Sequence, residues 1–278
     1  MSILTVSGLC KSYPAFSLKN VGFSLEPDKI TGFIGRNGAG KSTTLKTIMG
    51  LVHPDGGQVS FFGKPFAENE LEIKSLIGFV GGGADLYPGK KLKTITAVTK
   101  VFYPKWDDGA YREYMDMFSL DEGKTPSQLS QGMKVKYALT LALSHNARLL
   151  ILDEPTSGLD PISRDELLDI FLELQRRGVT ILFSTHITSD LDKCADNIIY
   201  IRNGEIAAEE TLSAFTKKYR LVELSDSDAS NPLLIGCKQA KTGCTALVLS
   251  ENAAAFPTAR EANLEEIMVH LERQGQLQ

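Results

Sequence analysis

Eight consecutive residues, Gly35-Arg36-Asn37-Gly38-Ala39-Gly40-Lys41-Ser42, constrain this chain more than any other stretch. The residues before them, Ile30 to Ile34, are β-branched or aromatic in the manner of a strand. Those after, Ser42 to Met49, have the composition of a helix that ends at Gly50. A strand that enters a helix through two glycines five apart followed by Lys and Ser has the pattern of a phosphate-binding loop. The glycines let successive backbone N–H groups turn inward onto phosphate oxygens, and the helix adds the positive end of its dipole. Lys41 is then placed to neutralise β- and γ-phosphates, and the Ser42 hydroxyl to ligate Mg²⁺. Thr43, one residue on, joins the same candidate nucleotide site. A glycine-rich turn that binds nothing is the alternative, and the strand before and helix after weigh against it.

A second feature fits the first. Leu149 to Leu152 is a continuous apolar run, as in a strand buried on both faces of a parallel sheet, and it delivers Asp153 and Glu154 to the strand's carboxyl end. Ligands of open α/β sheets collect at that end. Asp153 is the candidate holder of the magnesium, directly or through water. Glu154 is the candidate group to orient the attacking water or take its proton. Taken alone, the pair would read almost as well as two solvent-facing carboxylates.

The rest of the chain supports an α/β fold. Strands are expected at Ile3 to Val6, Val21 to Leu25 and Val59 to Phe62, and an apolar-rich helix at Met133 to Leu143 closes a largely helical middle section. Ile162 to Arg177 reads as an amphipathic helix, Thr180 to Ser184 as a buried strand, and Ser189 to Ala195 as a short helix opened by a capping residue. Asn203-Gly204 between Ile198 to Ile201 and Glu205 to Ala208 signals a tight hairpin. Beyond Thr216 the pattern changes: a Ser/Asp-rich segment at Ser225 to Asn231, a strand at Ala246 to Leu249 and a helix from Ala262 to Arg273 suggest a small α/β extension. Length allows this division, since 278 residues suit one large domain and an appendage.

Composition removes some function classes. A hydrophobic fraction of 42% with 23% charged residues is that of a globular protein and not of a disordered chain. A net charge of −4 gives no broad cationic field for nucleic acid. The apolar runs fall well short of the ~20 residues of a membrane-spanning helix, and the N-terminus lacks a secretory pattern, so membrane attachment is expected to come from another chain. Cys10, Cys194, Cys237 and Cys244 have no zinc-site spacing and read as free thiols.

Further motifs narrow the field. Leu129-Ser130-Gln131-Gly132-Met133 resembles the ABC signature, Leu152-Asp153-Glu154-Pro155-Thr156-Ser157-Gly158-Leu159-Asp160 matches that family's Walker B and D-loop, and Ser184-Thr185-His186 matches its switch histidine. Over about Ile3 to Ala208 the chain is similar to ATP-binding cassettes of ABC transporters. Phe102 to Asp107 and Thr185 to Asp190 look like bacterial ABC-2-type exporter ATPases, which serve drug, lantibiotic or lipid exporters.

The resemblance implies a P-loop NTPase ABC cassette over 1–215: a mainly parallel core sheet, an N-terminal antiparallel β subdomain and a helical subdomain at about 84–145, with the extension at 216–278. It implies ATP and Mg²⁺ as cofactors, Tyr13 stacked on adenine, His186 on the γ-phosphate, and Asp160 along a dimer seam. Two cassettes, identical or related, would meet head to tail, Ser130 and Gly132 of one closing on the nucleotide of the other. An integral membrane permease would be the further partner, no nucleic acid is expected, and the chain would sit on the cytoplasmic face of a bacterial membrane.

One position departs from the family. Where the family carries Gln, or less often Glu, after the strand Ile77-Gly78-Phe79-Val80, this chain has Gly82. Weakened magnesium sensing, or its supply by a neighbour such as Asp85, and slow hydrolysis are the expectation. A soluble ABC ATPase of translation or DNA repair is one alternative, but tandem cassettes, coiled-coil insertions and zinc modules that would favour it are not visible. A slow nucleotide-binding regulator is another; Gly82 favours it, and Glu154 and His186 oppose it.

Overall fold

A computed structural model of the chain describes residues 2–81, 87–225, 231–239 and 243–274. Gly82 and Asp85 therefore lie outside the described residues. The elements run β1 (Leu4–Tyr13), β2 (Phe16–Leu25), β3 (Ile30–Ile34), α1 (Lys41–Ile48), β4 (Gly56–Phe61), β5 (Lys64–Pro65), α2 (Glu70–Lys74), β6 (Ile77–Val80), α3 (Leu92–Lys100), α4 (Asp108–Met117) and α5 (Gln131–Ser144). They continue with β7 (Leu149–Asp153), α6 (Pro161–Arg176), β8 (Thr180–Thr185), α7 (Thr188–Cys194), β9 (Asn197–Arg202), β10 (Glu205–Thr211), α8 (Leu212–Lys217), β11 (Tyr219–Leu224), β12 (Ile235–Gln239), β13 (Cys244–Leu249), β14 (Arg260–Glu261) and α9 (Leu264–Arg273).

The chain divides into two compact units, 1–186 with 199–209, and 187–198 with 210–278. In the first, β2-β1-β4-β5 form an antiparallel sheet, and a six-stranded sheet has the order β10-β9-β3-β8-β7-β6. Within the latter, β3, β8, β7 and β6 are parallel. Every residue of β3, β7 and β8 is buried, which accounts for the apolar runs Leu149–Leu152 and Ile181–Phe183 within them. One core cluster joins the two sheets and α1, with Leu4, Val21, Phe33, Leu45, Ile151 and Leu182 among its members.

Parallel register sets where the chain leaves each strand. Ile34 pairs with Thr185, Asp153 with Ser184, and Val80 with Leu152, so the residues after β3, β7, β8 and β6 emerge at the same edge. That edge receives the loop from Gly35, Glu154 and His186 at the ends of three neighbouring strands.

Several elements differ from expectation. β1 and β2 are ten residues each and pair along their length, far longer than the apolar stretches Ile3 to Val6 and Val21 to Leu25, because the outer half of the pairing, Leu9 to Tyr13 and Phe16 to Asn20, buries only Leu9 and Leu18 and contains a shift of register. α7 has no side-chain cap: its N-cap is Ile187, and Ser189 sits inside the first turn. The second unit carries an antiparallel sheet of order β12-β13-β11-β14, with α9 packed on β12 and α7. Two of those strands, β11 and β12, are not apparent in the sequence because Arg220, Glu223 and Lys238 interrupt their apolar positions. Asn203 and Gly204 both have positive φ, 50° and 79°, as a tight hairpin turn between β9 and β10 requires.

Candidate functional site

The site grows from the loop between β3 and α1. Gly35 leaves the strand where a Cβ would stand 2.4 Å from the Ile201 carbonyl oxygen, so only glycine fits. Gly40, the N-cap of α1, has φ 115°, a conformation that side chains disfavour. The chain thereby reaches Lys41, whose side chain is only 5% exposed. Lys41 Nζ donates to the Gly35 carbonyl at 2.7 Å and meets Glu154 Oε1 at 3.2 Å. The loop thus wraps around its own ammonium group, as burying a charge requires.

Asp153 closes β7 with 4% exposure. Two hydroxyls converge on its Oδ1: Ser42 donates from α1 at 2.9 Å and Ser184 from β8 at 2.7 Å. The Ser184 hydroxyl also accepts from the Glu154 backbone N–H at 2.9 Å. One buried serine therefore fixes both acidic residues. Glu154 itself has φ 51°, a left-handed turn that bends the chain straight after the strand. Its second carboxylate oxygen, Oε2, lies 2.8 Å from His186 Nδ1.

One cavity of about 400 Å³ is lined by Asn37, Gly38, Gly40, Lys41, Ser42 and Thr43 together with Glu154 and His186, while Gly35, Ala39, Asp153 and Ser184 are not among its lining residues. Two further lining residues, Phe16 and Ser157, carry no role in the sequence reading. Phe16 has no motif to flag it; Ser157 lies within the Walker B to D-loop stretch without a task assigned to it. Tyr13, expected beside the base, is not a lining residue; it ends β1, 43% exposed, with Lys11 Nζ 5.8 Å from its ring centre.

The remaining candidates lie elsewhere on the first unit. Ser130 is the N-cap of α5 and accepts from the Met133 N–H at 3.2 Å. Gly132, in the first turn of that helix, lies against Leu159 and Ser163. Asp160 caps α6, accepting from Ile162 and Ser163 N–H groups at 3.0 Å each. Hydrogen bonds from Ser163, side chain first, hold its carboxyl below the usual carboxylate range. In this single chain neither Ser130, Gly132 nor Asp160 lines the Lys41 cavity.

The donor set suits a hard divalent cation, because Ser42 and Asp153 offer adjacent oxygens and no soft ligand. Among the described residues no group of three or more His, Cys, Asp or Glu could hold a metal alone. Phosphate oxygens and water would have to complete its shell. Among the described residues no helix is long and apolar enough to cross a membrane.

The sequence matches the ABC transporter family over residues 18–157. It is 34% identical to the ABC-type transporter ATP-binding protein EcsA of Bacillus subtilis over 82% of this chain and 95% of that protein. It is 31% identical to the bacitracin transport ATP-binding protein BcrA of Bacillus licheniformis, over 84% of this chain and 78% of that one. Among solved structures, a dimeric ATP-binding cassette in a post-hydrolysis state with ADP and Pi is similar at TM-score 0.66 and 26% identity, over 75% of this chain and 98% of that one. With a phosphate-loop cavity lined by Lys41, Glu154 and His186 and relatives of this kind, the chain belongs to the ABC transporter family as one of its ATP-binding, ATP-hydrolysing subunits.

Proposed function

We propose that the chain is the motor of a bacterial exporter, using Lys41 to hold the terminal phosphates of ATP and Glu154 to direct the attacking water. The observation that carries this reading is Glu154 itself, whose two carboxylate oxygens meet Lys41 at 3.2 Å and His186 at 2.8 Å. A carboxylate shared between a phosphate-binding cation and an imidazole is positioned at the reacting end of a triphosphate.

The residues then divide the work. Backbone N–H groups of the loop and of the first turn of α1 cradle the phosphates, and Lys41 exchanges its contact with Glu154 for phosphate oxygens. Glu154, released on that side and still held through Oε2 by His186, accepts a proton from water as the water oxygen bonds to the γ-phosphorus and the bond to ADP breaks. His186 adds a contact to the γ-phosphate through its other ring nitrogen. Mg²⁺, held by Ser42 and Asp153, would neutralise charge on the phosphates.

Ser130, Gly132 and Asp160 belong to the second half of the reading. In one chain they do not line the cavity, and a helix N-terminus such as that of α5 attracts phosphate. They close on the nucleotide of a second cassette, identical or related. The cassette spans 1–215 and the extension 216–278. Dimerisation and release are transmitted to a membrane permease, with the chain peripheral on the cytoplasmic face of the membrane. BcrA's name, a bacitracin transport protein, and the ATP-binding subunit EcsA support this assignment.

The test is sedimentation of the purified chain with and without ATP and Mg²⁺, using Glu154→Gln to slow turnover. Pairing that requires ATP and is lost in Ser130→Arg is the expected result. A chain that saturates with ATP and stays monomeric, alone and with its permease, would overturn the composite site.

A further inference from the structure

Helix α3 buries one face, through Leu92, Ile95 and Thr96, and turns the other to solvent. Along that outer side Lys91, Thr94, Val98 and Val101 follow one another at helical spacing. Val101 is 80% exposed, and Phe102 beside it 74%. The opposite end of the face is cationic. Leu92 N–H donates to the Lys124 carbonyl at 2.9 Å, Lys93 N–H to the Glu122 carbonyl at 3.2 Å, and the Ser127 hydroxyl to the Pro88 carbonyl at 3.0 Å. The chain at 88–93 is thus pinned to that at 122–127, which holds Lys90, Lys91, Lys93 and Lys124 together next to the exposed Tyr87.

Other exposed lysines are neutralised by neighbours. Lys100, at the far end of α3, meets Asp108 at 2.5 Å, and Lys64 and Lys74 meet Glu72 and Glu70 at 2.7 and 2.6 Å. Among the described residues no ion pair engages Lys90, Lys91, Lys93 or Lys124. The two carboxylates of the adjoining turn are tied elsewhere. Asp121 accepts from the Gly123 N–H at 2.8 Å, and Glu122 faces a cavity between α3 and α4 beside Tyr111, where Lys93 marks the edge of the patch. A local excess of cations in a chain of net charge −4, continued by exposed aliphatic and aromatic carbon, has the make-up of a helix that lies on a membrane surface. Each lysine is a point charge suited to a fluid layer of phosphate headgroups; a fixed protein carboxylate is better matched by the fork of arginine, which none of the four cations is. We propose that the outer face of α3, with Lys90, Lys91, Lys93 and Lys124, rests directly on the anionic surface of a lipid bilayer, Val101 and Phe102 entering its headgroup layer. The contact goes beyond the motor reading and requires neither nucleotide nor permease, so its failure leaves that reading standing.

Flotation of the full chain with lipid vesicles reads this contact. Vesicles of phosphatidylcholine mixed with phosphatidylglycerol should bind the chain at least about tenfold more tightly than phosphatidylcholine alone, and added salt should weaken that binding. At roughly fivefold per lysine, the triple variant Lys90→Gln, Lys91→Gln, Lys124→Gln should lower binding at least about 20-fold. The triple variant Lys64→Gln, Lys74→Gln, Lys218→Gln, which removes the same charge elsewhere, should leave it unchanged, and Phe102→Ser should lower it severalfold. ATP hydrolysis without vesicles, unchanged in each variant, shows that the fold is kept. Equal binding to the two kinds of vesicle, equal losses in the two triple variants, or release by millimolar glycerol phosphate would overturn the proposal. So would tighter binding to a short DNA duplex than to the anionic vesicles, which would give the lysines to nucleic acid.

Discussion

Lys41 and Glu154, 113 positions apart in the sequence, meet at 3.2 Å because β3 and β7 flank the same strand in parallel register. Neither is isolated: Lys41 also donates to Gly35, and Glu154 also meets His186. On the proposed reading, a triphosphate entering the cavity competes with Glu154 for Lys41, so that phosphate binding and the freeing of the carboxylate are one event.

Ser184 is the hidden positioning residue of this arrangement. It is fully buried, donates to Asp153 at 2.7 Å and accepts from the Glu154 N–H at 2.9 Å. Ser184→Ala leaves that N–H without its partner, at a cost of about 1–3 kcal/mol by denaturant unfolding. The Mg²⁺ concentration for half-maximal ATPase activity should rise in the same variant, while Ser184→Thr restores part of both.

Stability of the helical section depends on a buried hydroxyl relay. Thr96 Oγ1 lies 3.0 Å from the Tyr111 hydroxyl and 2.8 Å from that of Tyr137, which donates to the Leu92 carbonyl at 3.0 Å. Burial pushes the Tyr137 phenol up to about 12. Thr96→Val removes the shared partner of two buried hydroxyls and should cost about 1–3 kcal/mol, read by chemical denaturation, with ATP affinity unchanged.

Two buried histidines set an acid limit. Burial lowers the pKa of His145, stacked on Tyr103 with ring centres 3.8 Å apart, and likewise that of His270 in the second unit. Each is kept neutral in the fold and gains its proton more readily when unfolded. The stability they allow is complete above the ordinary histidine pKa of ~6.5 and is lost as pH falls from there through their lowered values. Melting temperatures measured across this range should decline toward acid, and His145→Phe should flatten the decline.

By the resemblance, Gly82 falls at the position where the family usually carries Gln. Gly82→Gln is expected to raise turnover several-fold and to lower the Mg²⁺ required. An unchanged rate and unchanged Mg²⁺ dependence would remove the expectation that Gly82 weakens magnesium sensing and slows hydrolysis.

Legibility in the sequence tracks the range of the forces involved. The loop from Gly35 to Ser42 and the acidic pair at the end of β7 announce themselves because strand, turn and helix signals are local and adjacent. Ser184 is legible as a motif member but not as the bridge between Asp153 and Glu154, which exists only once β7 and β8 pair. Phe16 is silent, since its place depends on a hairpin folding back onto Gly40. The strands β11 and β12 are hidden for the same reason: tertiary pairing, and not apolar content, makes them strands.

Phosphate release at saturating ATP, compared for the wild type and Glu154→Gln and accompanied by ATP binding, tests the central claim most directly. Loss of the proton acceptor should lower turnover by at least about 100-fold. ATP should bind as well or better, because Lys41 no longer has a carboxylate to leave. Turnover close to wild type in Glu154→Gln, or ATP affinity falling as far as the rate, would contradict the account.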